Sequence, residues 1–237
     1  MTENTTIKDS QSWDYYWLTK EKSRFSYNSI AESYRFFYNS IAKFYRRFII
    51  LPSLNRFIMN FFNEGAQVLH AGCGSGQVDA AIRGYVWIKA LDISSNALKM
   101  YKKENGKNSD ILQGTIFHLP LQSGTLDGIY NLGVMEHFNS NEIDAILKEF
   151  YRVLKPNGIV IVFWPPEYGL SVLFFKVLKR VLKLFTGKSY KLHPDEFCRV
   201  QSRSYADYFF VRGNFKVLSY SFGARDLFTY VTVVAQK

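Results

Sequence analysis

Apolar residues in this chain gather into short runs separated by stretches where they recur every third or fourth position. The runs near 66–71, 85–91, 109–113, 126–132 and 158–164 predict buried strands. The periodic stretches near 77–83, 94–104 and 140–153 predict amphipathic helices between them. Strand alternating with helix implies a parallel sheet covered on both faces. Farther on, 204–212 reads as a helix, and 215–222 and 228–235 read as two strands closing the sheet as an antiparallel pair.

Two regions fall outside this alternation. Residues 1–12 are polar and are expected to be disordered. The next stretch, to the first glycine at Gly65, is rich in aromatics and holds a short duplication, in which Tyr27–Phe37 is echoed by Tyr38–Phe48. Its period of about 11 residues is three helical turns and keeps one face aligned. That face carries Tyr27, Ile30, Ala31, Tyr34, Tyr38, Ile41, Ala42, Tyr45 and Phe48. It reads either as a helix packed over the core or as a cap whose tyrosines close a pocket. Pro52 is expected to break this helix, with a further amphipathic segment running to Phe62. Residues 1–63 are therefore taken as a helical cap and 64–237 as the main domain. Pro165 and Pro166 open a lid-like insertion, 165–202. Within it, Ser171 to Phe185 sets Phe174, Phe175, Leu178, Val181, Leu182 and Phe185 on one face and Lys176, Lys179, Arg180 and Lys183 on the other. That pattern suits a lid or dimer helix with a solvated basic face, or a helix lying on an anionic membrane surface.

Composition narrows the partners. The net charge of +10 favours an anionic substrate or surface. The basic residues of the insertion lie on one helix rather than along a groove, so no nucleic acid is expected. Only Cys73 and Cys198 occur, without disulfide or zinc spacing, which fits a reducing cytoplasm and no metal. The longest apolar run, Ile159 to Trp164, is too short to span a bilayer. Oligomeric state is not legible.

The candidate chemistry centres on Val68 to Gln77, a buried strand running into a glycine turn from which a helix opens. Gly72, Gly74 and Gly76 leave bare backbone for a ligand to approach. Asp92 ends the next strand about 20 residues past the first glycine, the spacing at which an acid meets ribose hydroxyls. Together they point to a nucleoside-containing cofactor.

With these residues in view the chain resembles the class I S-adenosylmethionine-dependent methyltransferases of the small-molecule "type 11" kind. Val68 to Gly76 resembles the glycine motif, and Leu91-Asp92-Ile93-Ser94 the acidic end of the second strand. Leu119-Pro120-Leu121 with Gly124 to Ile129 is similar to the family's "LPF…SFD" stretch. Gly133 to Phe138 resembles its "LEH" segment, and Phe150 to Gly158 its "RVLKPGG" turn. The resemblance implies a Rossmann-like, doubly wound, seven-stranded sheet with the last strand antiparallel, and S-adenosyl-L-methionine as cofactor. It implies that Gly72, Cys73, Gly74 and Gly76 surround the methionine part, with Asp92 on the ribose and Ile93 on the adenine. Thr115 and Ile116 fall at the adenine rim, Asn131 and Leu132 near the sulfonium, and Tyr38 and Tyr45 over the pocket. His70 stands where the family has an acid that helps hold the cofactor's ammonium, and Thr115 where it has aspartate. The function implied is methyl transfer to a small-molecule or lipid-like acceptor. The two departures motivate an alternative, a non-catalytic binding protein on the same fold. Should the acceptor need to lose a proton, His137 and His193 are the candidate bases.

Overall fold

The computed structural model of the chain describes residues 3–22, 40–186 and 196–237. Seven strands are present: β1 (Gln67–Ala71), β2 (Trp87–Asp92), β3 (Asp110–Gln113), β4 (Leu126–Leu132), β5 (Leu154–Trp164), β6 (Lys216–Ser221) and β7 (Val231–Gln236). They form one sheet in the order β3-β2-β1-β4-β5-β7-β6. The five on the β3 side are parallel, while β7 runs antiparallel to both β5 and β6. This is the doubly wound sheet expected, with its last strand reversed. The helices are α1 (Glu3–Lys22), α2 (Leu51–Phe61), α3 (Ser95–Asn105), α4 (Ser140–Val153), α5 (Leu170–Thr186) and α6 (Arg203–Arg212).

Side chains alternate across a strand, so each strand of this buried sheet feeds two cores. On one face Leu69, Ile129, Val160, Val162 and Trp164 join Ile146, Leu147 and Phe150 of α4 and Phe209 and Phe210 of α6. On the other, Val68, Tyr130, Ile161 and Phe163 join Leu54, Phe57 and Ile58 of α2. Two helix starts are written in the sequence. Asn139 and Glu142 form a reciprocal capping box on α4, and the Ser94 hydroxyl accepts from Ala97 N–H at 3.1 Å on α3.

Four expectations need correction. Residues 1–12 are not disordered throughout: α1 begins at Glu3. A polar helix gains its stability from tertiary packing rather than propensity, and α1 packs on α3. The helix expected at 77–83 is only a 3-10 turn, Asp79–Ala81, bonded from Asp79 N–H to the Gly76 carbonyl and from Ile82 N–H to that of Asp79. Pro52 does not break its helix. A π turn, Arg46–Ile50, leads directly into α2, where Pro52 lies in the first turn and its missing N–H matters little. The wider π turn also shifts the helix phase, so Phe48 is 55% exposed where the 11-residue stripe had placed it inward. Finally β7 starts at Val231 rather than 228, because Leu227 and Phe228 take left-handed conformations. Of the duplicated repeat, residues 27–39 lie outside the described residues.

Parallel order brings the carboxyl ends of β1, β2, β4 and β5 to one edge. The stretch beyond β5 is clamped there. Val200 N–H donates to the Pro165 carbonyl, Glu167 N–H donates to that of Val200, and the N–H groups of Phe197 and Cys198 both donate to the Glu136 carbonyl.

Candidate functional site

The turn after β1 is held by backbone and by the side chains of Asp92 and Asn105, whose Nδ2 donates to the Gly76 carbonyl at 2.9 Å. Gly72 and Cys73 N–H both donate to the Leu91 carbonyl at the end of β2, at 2.8 and 2.9 Å. Gly72, Gly74 and Gly76 all have positive φ, 71°, 53° and 60°, which side chains disfavour. Their bare Cα atoms face three different elements. A Cβ on Gly72 would meet Val134 Cγ2 at 2.8 Å, one on Gly74 would meet Trp17 Cζ2 at 2.6 Å, and one on Gly76 would meet Asn105 Nδ2 at 2.6 Å and overlap the Tyr101 ring. Tyr101 is buried, so the third glycine serves helix packing. The Cys73 thiol is buried beside the turn. Burial first, then the Asp92 and Asp79 charges, push it well above the usual thiol range, so it stays neutral.

Asp92 ends β2 with only 7% of its surface exposed. Its Oδ2 accepts from Gly74 N–H at 2.8 Å and its Oδ1 from Ser94 N–H at 2.9 Å. Burial raises its pKa, and those two amides oppose the rise. The carboxylate is thereby fixed at the mouth of the glycine turn with lone pairs left for further donors. Ile93 follows it, its carbonyl accepting from Gln113 Nε2 at 3.4 Å.

Helix α1 covers this edge. The Asp14 carboxylate accepts from the Ser94 hydroxyl and from Asn96 N–H, capping α3 beside Asp92. Trp17 lies against Gly74, and Trp13 stands edge-on to His137, ring centroids 5.0 Å apart. Arg46 of the π turn reaches in from the other side, its Nη1 donating to Gln77 Oε1 at 3.3 Å.

At the end of β4, Asn131 is fully buried and neither amide atom has a partner among the described residues. A buried amide left unpaired is costly, which makes this side chain a candidate ligand contact. Leu132 beside it is half-buried. The turn Met135–His137 follows. Glu136 in it is buried, with Oε2 unpartnered, and its pKa is pushed up to about 8. Burial is the main cause, with the Glu196 charge adding and its own N–H and the Arg199 guanidinium opposing.

The remaining expected residues are less central. The His70 imidazole is locked inside, Nδ1 at 2.8 Å from Asp79 Oδ2 and the ring stacked on Tyr130. Tyr101 donates to the same Asp79 oxygen at 2.8 Å. Asp79 thus sets a carboxylate against the residue that replaced the family's acid. The Thr115 hydroxyl accepts from Phe117 N–H at 3.3 Å, and Ile116 belongs to the α4-side core. The Tyr45 hydroxyl donates to Thr229 at 2.9 Å, tying its helix to the start of β7. Tyr38 and His193 lie outside the described residues.

Sequence reasoning missed Asp79, Asp14, Trp17 and Arg46. Asp79 offered one signal, a lone acid where an amphipathic helix was expected. The other three come from the aromatic-rich stretch before Gly65, of which only the duplicated repeat was given a role, as a packed helix or a cap.

The seven-stranded sheet, with a glycine turn after its first strand, is similar in fold to the class I S-adenosylmethionine-dependent methyltransferases. Residues 69–162 match the family described as methyltransferase domain. It is 28% identical over 148 residues to demethylmenaquinone methyltransferase of Bacillus licheniformis, covering 58% of this chain and 62% of that one. It is 35% identical over 113 residues to malonyl-[acyl-carrier protein] O-methyltransferase of Yersinia pestis, covering 47% and 41%. The chain therefore spans less than two thirds of either relative. Magnesium protoporphyrin IX methyltransferase from Synechocystis, solved with S-adenosylhomocysteine, superposes with a TM-score of 0.65 at 14% identity, covering 98% of this chain and 99% of that one. At that identity the likeness is one of fold.

The residues present fit the cofactor. The Asp92 carboxylate, with lone pairs to spare, and the Asn131 amide, unpaired among the described residues, offer acceptors and donors at the carboxyl ends of the strands, suited to a zwitterionic nucleoside.

Proposed function

We propose that the protein transfers a methyl group from S-adenosylmethionine to a small, lipid-like acceptor with a planar headgroup. The observation that carries this reading is the buried Asp92 carboxylate at the end of β2, bonded to Gly74 N–H, with a buried Asn131 amide at the end of β4 that lacks a partner among the described residues. When bound, the cofactor supplies an electrophilic methyl on sulfur, and the chain's own task is alignment and exclusion of water. The glycine turn sets Asp92 in place through Gly74 N–H, Asp92 takes the ribose hydroxyls, and Asn131 pairs with polar groups near the sulfonium. Arg46, beside Gln77, offers a guanidinium to a carboxylate.

Trp13, Tyr16 and Trp17 wall the other side, and a planar acceptor would stack on such rings. Among relatives, the names demethylmenaquinone methyltransferase and malonyl-[acyl-carrier protein] O-methyltransferase lend support to an acceptor carrying an apolar chain. His137, at the Trp13 ring, is the base we assign where the acceptor must lose a proton, and His193 is kept as the second candidate. Its neighbour Glu136 is neutral near pH 7 and leaves that proton traffic to the imidazole.

Titration calorimetry with S-adenosylmethionine tests the reading. Wild type should bind, and Asp92→Asn should bind at least tenfold more weakly, the loss of one charge-assisted contact pair of about 1.5–3 kcal/mol. Absence of heat at millimolar cofactor would end it.

A further inference from the structure

Helix α5 shows solvent an unusual surface. Leu173 is 57% exposed, Val177 50% and Leu184 84%, and Leu170 and Phe174 are exposed beside them. At about 100° per residue these five share one arc of the helix. Lys176, Arg180 and Lys183, also exposed, occupy the adjoining arc. Val172, nearly opposite the apolar arc, is buried. Among the described side chains, Val172 anchors the first turn, and an apolar stripe with a basic stripe beside it faces outward. The sequence left two readings open, a packed helix with a solvated basic face or a helix on an anionic membrane surface. No aspartate or glutamate occurs between Leu170 and Thr186.

A second apolar projection adjoins its first turn. Leu170 N–H donates to the Phe228 carbonyl at 2.8 Å. Leu227 and Phe228 are 53% and 42% exposed, and both are left-handed, with φ of 47° and 52°. Two successive non-glycine residues seldom adopt that conformation. The tip is held by buried Asp226, which accepts from Ser53 Oγ at 2.9 Å and Tyr230 OH at 3.2 Å, and by Phe228 N–H donating to the Gly223 carbonyl. Structure is therefore spent on keeping two large apolar side chains in water.

We propose that α5 and the Leu227–Phe228 tip dock on the headgroup layer of an anionic lipid bilayer. The apolar arc enters the boundary between headgroups and acyl chains, and the lysines and arginine meet the anionic headgroups. A second copy of the chain fits less well, since it would bring one basic stripe to another. The placement has a use. α5 leaves from the carboxyl end of β5, and the chain beyond it returns to Glu136, next to His137. Docking sets the acceptor side of the cleft against the layer that would hold a lipid-like acceptor. That purpose rests on the proposed function, whereas docking itself needs neither donor nor acceptor.

Sedimentation of the full chain with vesicles tests it. Vesicles of phosphatidylcholine mixed with phosphatidylglycerol should pull the protein down, vesicles of phosphatidylcholine alone should not, and high salt should release it. Each charge reversal among Lys176, Arg180 and Lys183 should weaken binding at least about fivefold. The pair Leu173→Asp and Val177→Asp should weaken it at least about tenfold, with donor affinity unchanged because both sites are exposed. Equal binding to neutral vesicles overturns the proposal, as does no binding to either kind. So does a stripe whose variants abolish self-association or oligonucleotide binding but leave vesicle binding intact. If vesicles fail while donor still binds, docking falls and the methyltransferase reading stands.

Discussion

Glu136 is the most informative residue to perturb. Burial lifts its carboxyl from the ordinary 4.5 to about 8. Between those two values the folded protein keeps a proton that the unfolded chain has released. The stability associated with this group is therefore fully present below pH 4.5 and is lost as pH rises through 8. The slope of that loss is about 1.4 kcal/mol per pH unit. From pH 5.5 to 7.5 the group should remove roughly 2.7 kcal/mol, a large part of the 5–15 kcal/mol by which domains are usually stable. Asp92 is also raised by burial and adds to the wild-type slope, so wild type alone does not isolate Glu136. Glu136→Gln does: it keeps the shape, carries no charge and cannot titrate. Urea unfolding of both proteins at pH 5.5, 6.5 and 7.5 provides the comparison. Wild type should lose about 1.4 kcal/mol per pH unit relative to the variant. A difference that stayed constant to within about 0.5 kcal/mol across the range would refute the reasoning. It would mean that the carboxylate is ionised in the fold, matched by Arg199 rather than silenced by burial.

Two further substitutions probe the packing behind the site. Gly76→Ala combines a left-handed backbone with overlap against buried Tyr101, and should destabilise by roughly 2–4 kcal/mol in denaturant unfolding; a loss below about 1 kcal/mol would show that Tyr101 swings away. Asp79→Ala strands the donors of both His70 and Tyr101 and should lower stability by about 2–6 kcal/mol, whereas Asp79→Asn, able to accept one of the two, should recover part of it; equal losses in the two variants would show that the cluster is not held by these bonds.

The cofactor edge belongs to two kinds of information. Periodicity and glycine spacing are local properties, and they were sufficient for the strands β1 to β5, for α3 and α4, and for Asp92 at the end of β2. Local rules also placed Gly72, Gly74 and Gly76 in one turn. They did not separate their tasks, because only the packed fold shows Val134, Trp17 and Tyr101 arriving from three distant segments to face them. His70 looked like a loss of negative charge until the tertiary structure brought Asp79 to within 2.8 Å.

Helix α1 is the plainest case. Read alone, its polar residues predict disorder, since an isolated helix of that composition is unstable in water. Asp14 at the start of α3 and Trp13 at His137 supply the contacts that order it, and those contacts lie about 80 to 120 residues away along the chain. What the sequence determined by itself was the strands of the sheet and the glycine turn, because both are written in neighbours two to four positions apart. What only the tertiary structure decided was the roof over the turn, the burial of Glu136 and the outward apolar stripe of α5, because each depends on which surfaces the fold leaves covered.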